Sequence, residues 1–157
     1  MIIKTPIDSG GAITAADDSD ALQFNRDTYS YMWPRDGALV SIAMIKAGFP
    51  EFTKSFFRLC KDVLWWAGCL LHKYNPDGTL GSSWHPWIDY GQPSLPIQED
   101  ETTLIIHALW KYYEATGDLE FVKELYGLLV KKAILFLDGY NYPKDIPVES
   151  YDLWEER

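Results

Sequence analysis

Two short punctuation marks, Gly48-Phe49-Pro50 and Gly117-Asp118, each separate two runs of apolar residues at helical spacing, and they constrain the fold more than any other feature of the chain. A link of two or three residues leaves the second helix no route except back along the first, so each mark predicts an antiparallel hairpin. The first helix is expected to start near Arg35–Asp36, with Pro34 just before it where a missing amide is harmless. It carries Ala38, Leu39, Ile42, Ala43 and Ile45 to a stop at Gly48. The second follows Pro50 and places Phe52, Phe56, Leu59, Val63, Leu64, Ala67 and Leu71 on the helical period. The third starts near Gln98 or Glu99, where Glu99, Asp100 and Glu101 suit the positive end of a helix dipole, and runs through Leu104, Ile105, Ala108, Leu109 and Tyr112 to Gly117. Asp118 is a good N-cap for the fourth, which carries Phe121, Val122, Leu125, Leu128, Leu129 and Ile134 or Leu135 to a stop at Gly139. The expectation is an all-α fold of about four helices in up-down hairpins.

Everything else lies in longer segments: an irregular lead-in over 1–32, a connection from about Tyr74 to Ile97, and Tyr140–Arg157. Asn75-Pro76-Asp77-Gly78 reads as a turn, with a short hairpin around Thr79–Trp84. Helices that alternate up and down with short, long, short and long connections collect the long ones at one end. That end then holds Trp33, Arg35, Asp36, Trp84, His85, Trp87, Gln98, Asp100, Glu101, Trp154, Glu155 and Glu156. His72 and His107 fall inside expected helices and read as packing or surface residues. His85 has no second His at ligand spacing and reads as a structural hydrogen-bonder.

The net charge of −9 and pI near 4.7 argue against nucleic acid and anionic membrane surfaces as partners. Met1-Ile2-Ile3-Lys4-Thr5-Pro6 lacks the apolar region of a signal peptide and no window approaches a membrane span, so a soluble cytoplasmic protein is expected. Cys60 and Cys69 lie nine apart on one expected helix, on opposite faces and too far along its axis to bridge, and read as buried thiols of a reducing compartment. No CxxC, HExxH, P-loop or GxGxxG is present.

The aromatic content of 15%, with seven Trp and ten Tyr, is high and suits large flat binding surfaces or a core with many rings. Indole faces stack on sugar C–H faces, while carboxylates and guanidinium bond paired hydroxyls, so the gathered residues match a neutral sugar. Arg35–Asp36 suits two hydroxyls of one terminal sugar, and equally a helix start with a local ion pair. Trp84, following Gly81-Ser82-Ser83, is a candidate stacking platform, or part of a loop packed by its own rings. Glu155 and Glu156 adjoin Trp154 and Tyr151. Desolvation by aromatic surface raises a carboxyl's pKa, as a general acid requires, although the same residues also read as a capped helix start or a terminus. A rival class treats Gln98-Glu99-Asp100-Glu101 as a Mg²⁺–diphosphate site, which would want a second acidic motif and more basic residues than Arg35.

Three motifs in this order resemble glycoside hydrolase family 15, the glucoamylase family, in its prokaryotic branch. They are Tyr29-Ser30-Tyr31-Met32-Trp33-Pro34-Arg35-Asp36-Gly37; Gly81-Ser82-Ser83-Trp84-His85-Pro86-Trp87 with Leu95-Pro96-Ile97-Gln98-Glu99-Asp100-Glu101-Thr102; and Ser150-Tyr151-Asp152-Leu153-Trp154-Glu155-Glu156-Arg157. The resemblance implies an (α/α)6 barrel, of which residues 1–157 would be an N-terminal portion of one catalytic domain. It implies that Glu155 is the general acid, that Glu156 and Trp154 bind substrate, and that the Leu153 carbonyl faces the sugar. Tyr29, Trp33, Arg35 and Asp36 would hold the terminal glucose, Trp84 would serve the next subsite, and Gln98 and Asp100 would support that wall. The implied activity is inverting release of glucose from α-glucans or maltooligosaccharides, with no metal or cofactor required. Dextran-type α-1,6 hydrolysis, trehalose hydrolysis, or glycan binding without catalysis are the alternatives. Inversion needs a second carboxylate about 6.5–9.5 Å from the acid, and adjacent residues cannot straddle a sugar ring. In the family that base lies in the distant C-terminal half, so the isolated chain is expected to be inactive, and the resemblance leaves room for a second polypeptide that completes the barrel as a partner.

Overall fold

The computed structural model describes residues 10–14, 30–81, 88–89, 91–93, 95 and 97–140. Helix α1 spans Pro34–Lys46; a 3-10 turn over Pro50–Thr53 leads into α2, Lys54–Val63. A two-stranded ribbon, β1 Ile88–Asp89 and β2 Gln92–Pro93, pairs antiparallel with Ile88 opposite Pro93. Helix α3 is Glu99–Thr116, and α4, Leu119–Leu125, continues through one π turn at Tyr126–Val130 into α5, Lys131–Tyr140. Among the described residues four helical rods result, as the apolar spacing predicts.

Both short links behave as their residues require. Gly48 takes φ +88° just after α1, and Gly117 takes φ +66° at the end of α3, where its amide bonds the Tyr113 carbonyl at 2.8 Å. These left-handed positions suit glycine because a Cβ would crowd its own backbone there. The Asp118 carboxylate then accepts the Phe121 amide at 3.1 Å, capping α4. Lys54 reaches Glu51 and Asp118, each at 2.9 Å, and Arg58 pairs with Glu124 at 2.7 Å. These pairs align α2 with α4, while α1 and α3 run side by side the opposite way, their starts joined through Arg35 and Glu101. The architecture is two helical hairpins laid against each other.

Phe56, Phe57, Cys60, Ile105, Ala108, Tyr112, Leu125 and Leu129 are fully buried between them. The Phe57 ring meets Tyr112 edge-on at 6.2 Å and Phe121 at 6.3 Å. Burying each such ring stabilises the fold by about 1.5–3 kcal/mol. A Cβ at Gly37 would overlap the Phe56 ring, so glycine sets the close approach of α1 to α2. From the lead-in, Ala12 and Ile13 are buried, and Gly11 (φ +93°) lies against the Ser55 carbonyl, so this piece packs on α2.

Helix α2 ends eight residues earlier than its apolar spacing implies. Leu64 leaves helical geometry at ψ 125°, and a turn follows in which Gly68 donates to the Trp65 carbonyl at 2.8 Å. Gly68 sits at φ +100° against the Lys132 carbonyl, where a Cβ would overlap it. Beyond the turn the chain is non-helical and pairs with the start of the α1 motif: Met32 and Tyr74 exchange backbone bonds of 2.8 and 2.9 Å. Two expectations are corrected as a consequence. His72 and Cys69 are not on a helix, so the helix-based separation of the two cysteines does not apply; both thiols are nevertheless free and buried. Burial pushes the Cys69 thiol up to about 11. The Asn75–Thr79 turn forms, closed by an Asn75 amide to Thr79 carbonyl bond of 2.7 Å with Gly78 at φ +83°. After the turn the chain pairs back on itself, Leu80 opposite Tyr74 and the Gly81 amide on the Lys73 carbonyl at 3.0 Å, while 82–84 of the expected hairpin fall outside the described residues; the two-stranded ribbon at 88–93 is a further one. Helix α5 is described to Tyr140, one residue past the expected stop at Gly139. No helix among the described residues is long and apolar enough to cross a membrane.

Candidate functional site

Helix α1 opens with Trp33 at its N-cap and Pro34 at its first position, so its first free amide is that of Arg35. That amide donates to Glu101 Oε2 at 2.5 Å, across to the third residue of α3. The Arg35 guanidinium follows it over. Nη1 donates to Gln98 Oε1 at 3.1 Å, reaches Asp100 Oδ2 at 3.3 Å, and lies 3.4 Å from Glu101 Oε1. Nε stands 3.7 Å from Asp36 Oδ1. Among the described residues, the hydrogen bonds of this guanidinium all leave from Nη1.

Behind Arg35 runs a second chain of bonds. Trp33 Nε1, which can only donate, points at His72 Nε2 at 3.4 Å. His72 Nε2 is therefore the acceptor nitrogen, and Nδ1 carries the proton it gives to Gln98 Oε1 at 3.0 Å. Gln98 Oε1 thus receives both His72 and Arg35, which links the indole to the guanidinium through one buried oxygen. Trp33 and His72 are 4% and 5% exposed, so the indole is locked in the wall. Beside it stand Tyr31, edge-on at 5.9 Å, and Lys73, whose ammonium lies 4.0 Å from the Tyr31 ring centre and 5.7 Å from that of Trp33. Gly81 makes room for this packing: a Cβ there would press on both Lys73 and Tyr31.

The charges are lopsided, with one guanidinium beside three carboxyls. Burial alone would lower the Arg35 pKa, but Glu101, Asp100 and Asp36 together hold it above its usual value. Burial pushes the Glu101 carboxyl up to about 8, and the bond from the Arg35 amide and the guanidinium charge only partly oppose that. The Asp36 and Asp100 side chains are 44% and 51% exposed. A ligand arriving here meets two accessible carboxylates on either side of a restrained guanidinium.

Of the residues singled out from sequence, the structure brings Trp33, Arg35, Asp36, Gln98 and Asp100 together at the joined starts of α1 and α3. Tyr29, Trp84, Leu153, Trp154, Glu155 and Glu156 lie outside the described residues. His72 and Lys73 belong to the same cluster, although sequence reasoning did not place them there. Glu101 is gathered at this end by the loop lengths but receives no role from them. It carried a signal, since a glutamate three residues after an N-cap is a capping position.

An uncharacterized glycosyl hydrolase of Methanocaldococcus jannaschii is 30% identical to this chain over 131 residues. The chain is a distant relative of that glycosyl hydrolase. The similarity covers 82% of this chain and 18% of the relative, so the chain spans less than a fifth of that protein's length. No protein-family model matches the chain, and no solved structure matches it.

Proposed function

We propose that this chain carries the glucose-holding side of a glucoamylase-type glycosidase, releasing glucose from the non-reducing ends of α-glucans. The observation that carries the reading is the restrained Arg35–Asp36 pair at the joined helix starts, together with the relationship to a glycosyl hydrolase. Asp36 accepts hydrogen bonds from adjacent hydroxyls of the terminal sugar, and its orientation is set by the first turn of α1. Arg35, tied to Gln98, Asp100 and Glu101, works mainly as the brace that keeps Asp36 in place. Locking costs are met during folding rather than on binding, which favours a small polar ligand. Glu155 protonates the glycosidic oxygen, Glu156, Trp154 and the Leu153 carbonyl line the scissile bond, and Tyr29 and Trp84 flank the sugar. A carboxylate from outside this sequence activates water on the opposite ring face.

Calorimetric titration with maltotriose tests the binding half. Saturable binding that weakens at least about tenfold in Asp36→Ala is expected, since a hydrogen bond to a charged group contributes about 1.5–3 kcal/mol. Unchanged affinity in that variant would sink the pocket assignment. Incubation with maltooligosaccharides tests the catalytic half: no hydrolysis by the 157-residue chain is expected, and turnover abolished by Glu155→Gln would place the base within it.

A further inference from the structure

Helix α1 supplies no cap of its own. Trp33 makes no side-chain cap bond and Pro34 has no amide, so the first turn of α1 depends on Glu101, which is fully buried. A glutamate at the third position of a helix ordinarily turns back on its own N-cap residue. Glu101 instead crosses to the neighbouring helix, where one oxygen takes the Arg35 amide and the other faces the Arg35 guanidinium at 3.4 Å. One carboxyl therefore bonds the backbone of Arg35 and lies beside its guanidinium, and Asp36 is the next residue along that backbone.

We propose that Glu101 is a positioning residue of the sugar site, fixing Arg35 and through it Asp36 in the orientation that meets the ligand. The proposal rests on the functional reading above for the identity of the ligand, but not for the hold on Arg35. The groups facing Glu101 are Arg35 and Asp36 from α1, Cys60 from α2, Asp100 from α3, and Tyr74 from the segment after α2. Burial pushes both Cys60 and Tyr74 far up, so neither adds charge near neutral pH. With Glu101 itself held up to about 8, the buried carboxyl carries the proton while the exposed Asp36 and Asp100 face solvent. The grip on Arg35 should accordingly change as Glu101 ionises, adding a negative charge beneath a guanidinium that is shared with two others.

Nuclear magnetic resonance of the isotope-labelled full chain reads this directly. The Arg35 amide signal should inflect near pH 8 in the wild type and lose that inflection in Glu101→Gln, which keeps an oxygen for the amide but has no proton to release. Maltotriose affinity, measured in parallel, should fall about tenfold or more in Glu101→Leu, recover most of that loss in Glu101→Gln, and lose its pH dependence there. An Arg35 signal that inflects equally in Glu101→Gln, or stays flat in the wild type, would overturn the proposal. So would a folded Glu101→Leu protein with unchanged Arg35 signals and affinity; if that variant does not fold, the glutamine comparison decides alone. Absence of maltotriose binding with the Arg35 inflection intact in the wild type and lost in glutamine would uphold the positioning role and refute the sugar.

Discussion

Raising the pH from 5 to 9 should destabilise this fold through one residue. Glu101 has an ordinary value of 4.5 and is held near 8 in the folded chain by burial, so the native state keeps a proton that the unfolded chain releases. Its contribution is fully present below pH 4.5, declines as pH rises, and is gone above about 8. At about 1.4 kcal/mol per pH unit, the gap sets an upper limit of about 5 kcal/mol, a large share of the 5–15 kcal/mol typical of a domain. Asp77, Glu114, Asp118 and Glu124 work in the opposite sense. Hydrogen bonds from Thr79, Lys111, Lys54 and Arg58 respectively lower them, so their stabilisation is lost as pH falls into the acid range. Urea denaturation of the wild type and of Glu101→Gln at each pH separates the two effects, because the acid-side groups are common to both. The wild type should lose several kcal/mol relative to the glutamine variant between pH 5 and 8 and then run parallel to it. Curves parallel over the whole range would refute the burial argument for Glu101.

Gly37→Ala should destabilise by about 1–3 kcal/mol from overpacking against Phe56, less up to about 1 kcal/mol regained from helix propensity, as read by the thermal midpoint. Tyr74→Phe removes the hydroxyl that accepts the buried Leu71 amide at 2.8 Å and donates to the Val63 carbonyl at the end of α2, and Thr102→Val removes the acceptor of the Leu70 amide. Each should cost about 1–3 kcal/mol in urea denaturation, the penalty of an orphaned buried amide. His72→Leu takes away the Trp33 acceptor and one of the Gln98 donors, and should shift the Trp33 indole proton signal; an unmoved signal would contradict the relay.

The hairpins were legible because their signals are local: Gly48 and Gly117 supply left-handed turns, and the Asp118 carboxylate caps α4. The end of α2 was not, because Leu64, Ala67 and Leu71 keep the helical period while the backbone has already left it. Leu71 is buried from a non-helical segment, where tertiary packing, not periodicity, decides its position. Gly68, in the turn that follows, was the overlooked signal that the helix does not run on. At the site, the convergence of Trp33, Arg35, Gln98 and Asp100 followed from loop lengths. His72 was hidden by its placement on a helix that ends before it, and the cross-helix reach of Glu101 depends on the pairing of α1 with α3, which no local pattern encodes.

The central claim is that the joined starts of α1 and α3 hold a terminal sugar. Amide signals tracked during a maltotriose titration test it most directly. Saturating shifts confined to Arg35, Asp36, Gln98 and Asp100, with Gly48 and Gly117 at the far end unmoved, are the expected result. Shifts that are absent, or that map to the far end, would contradict it.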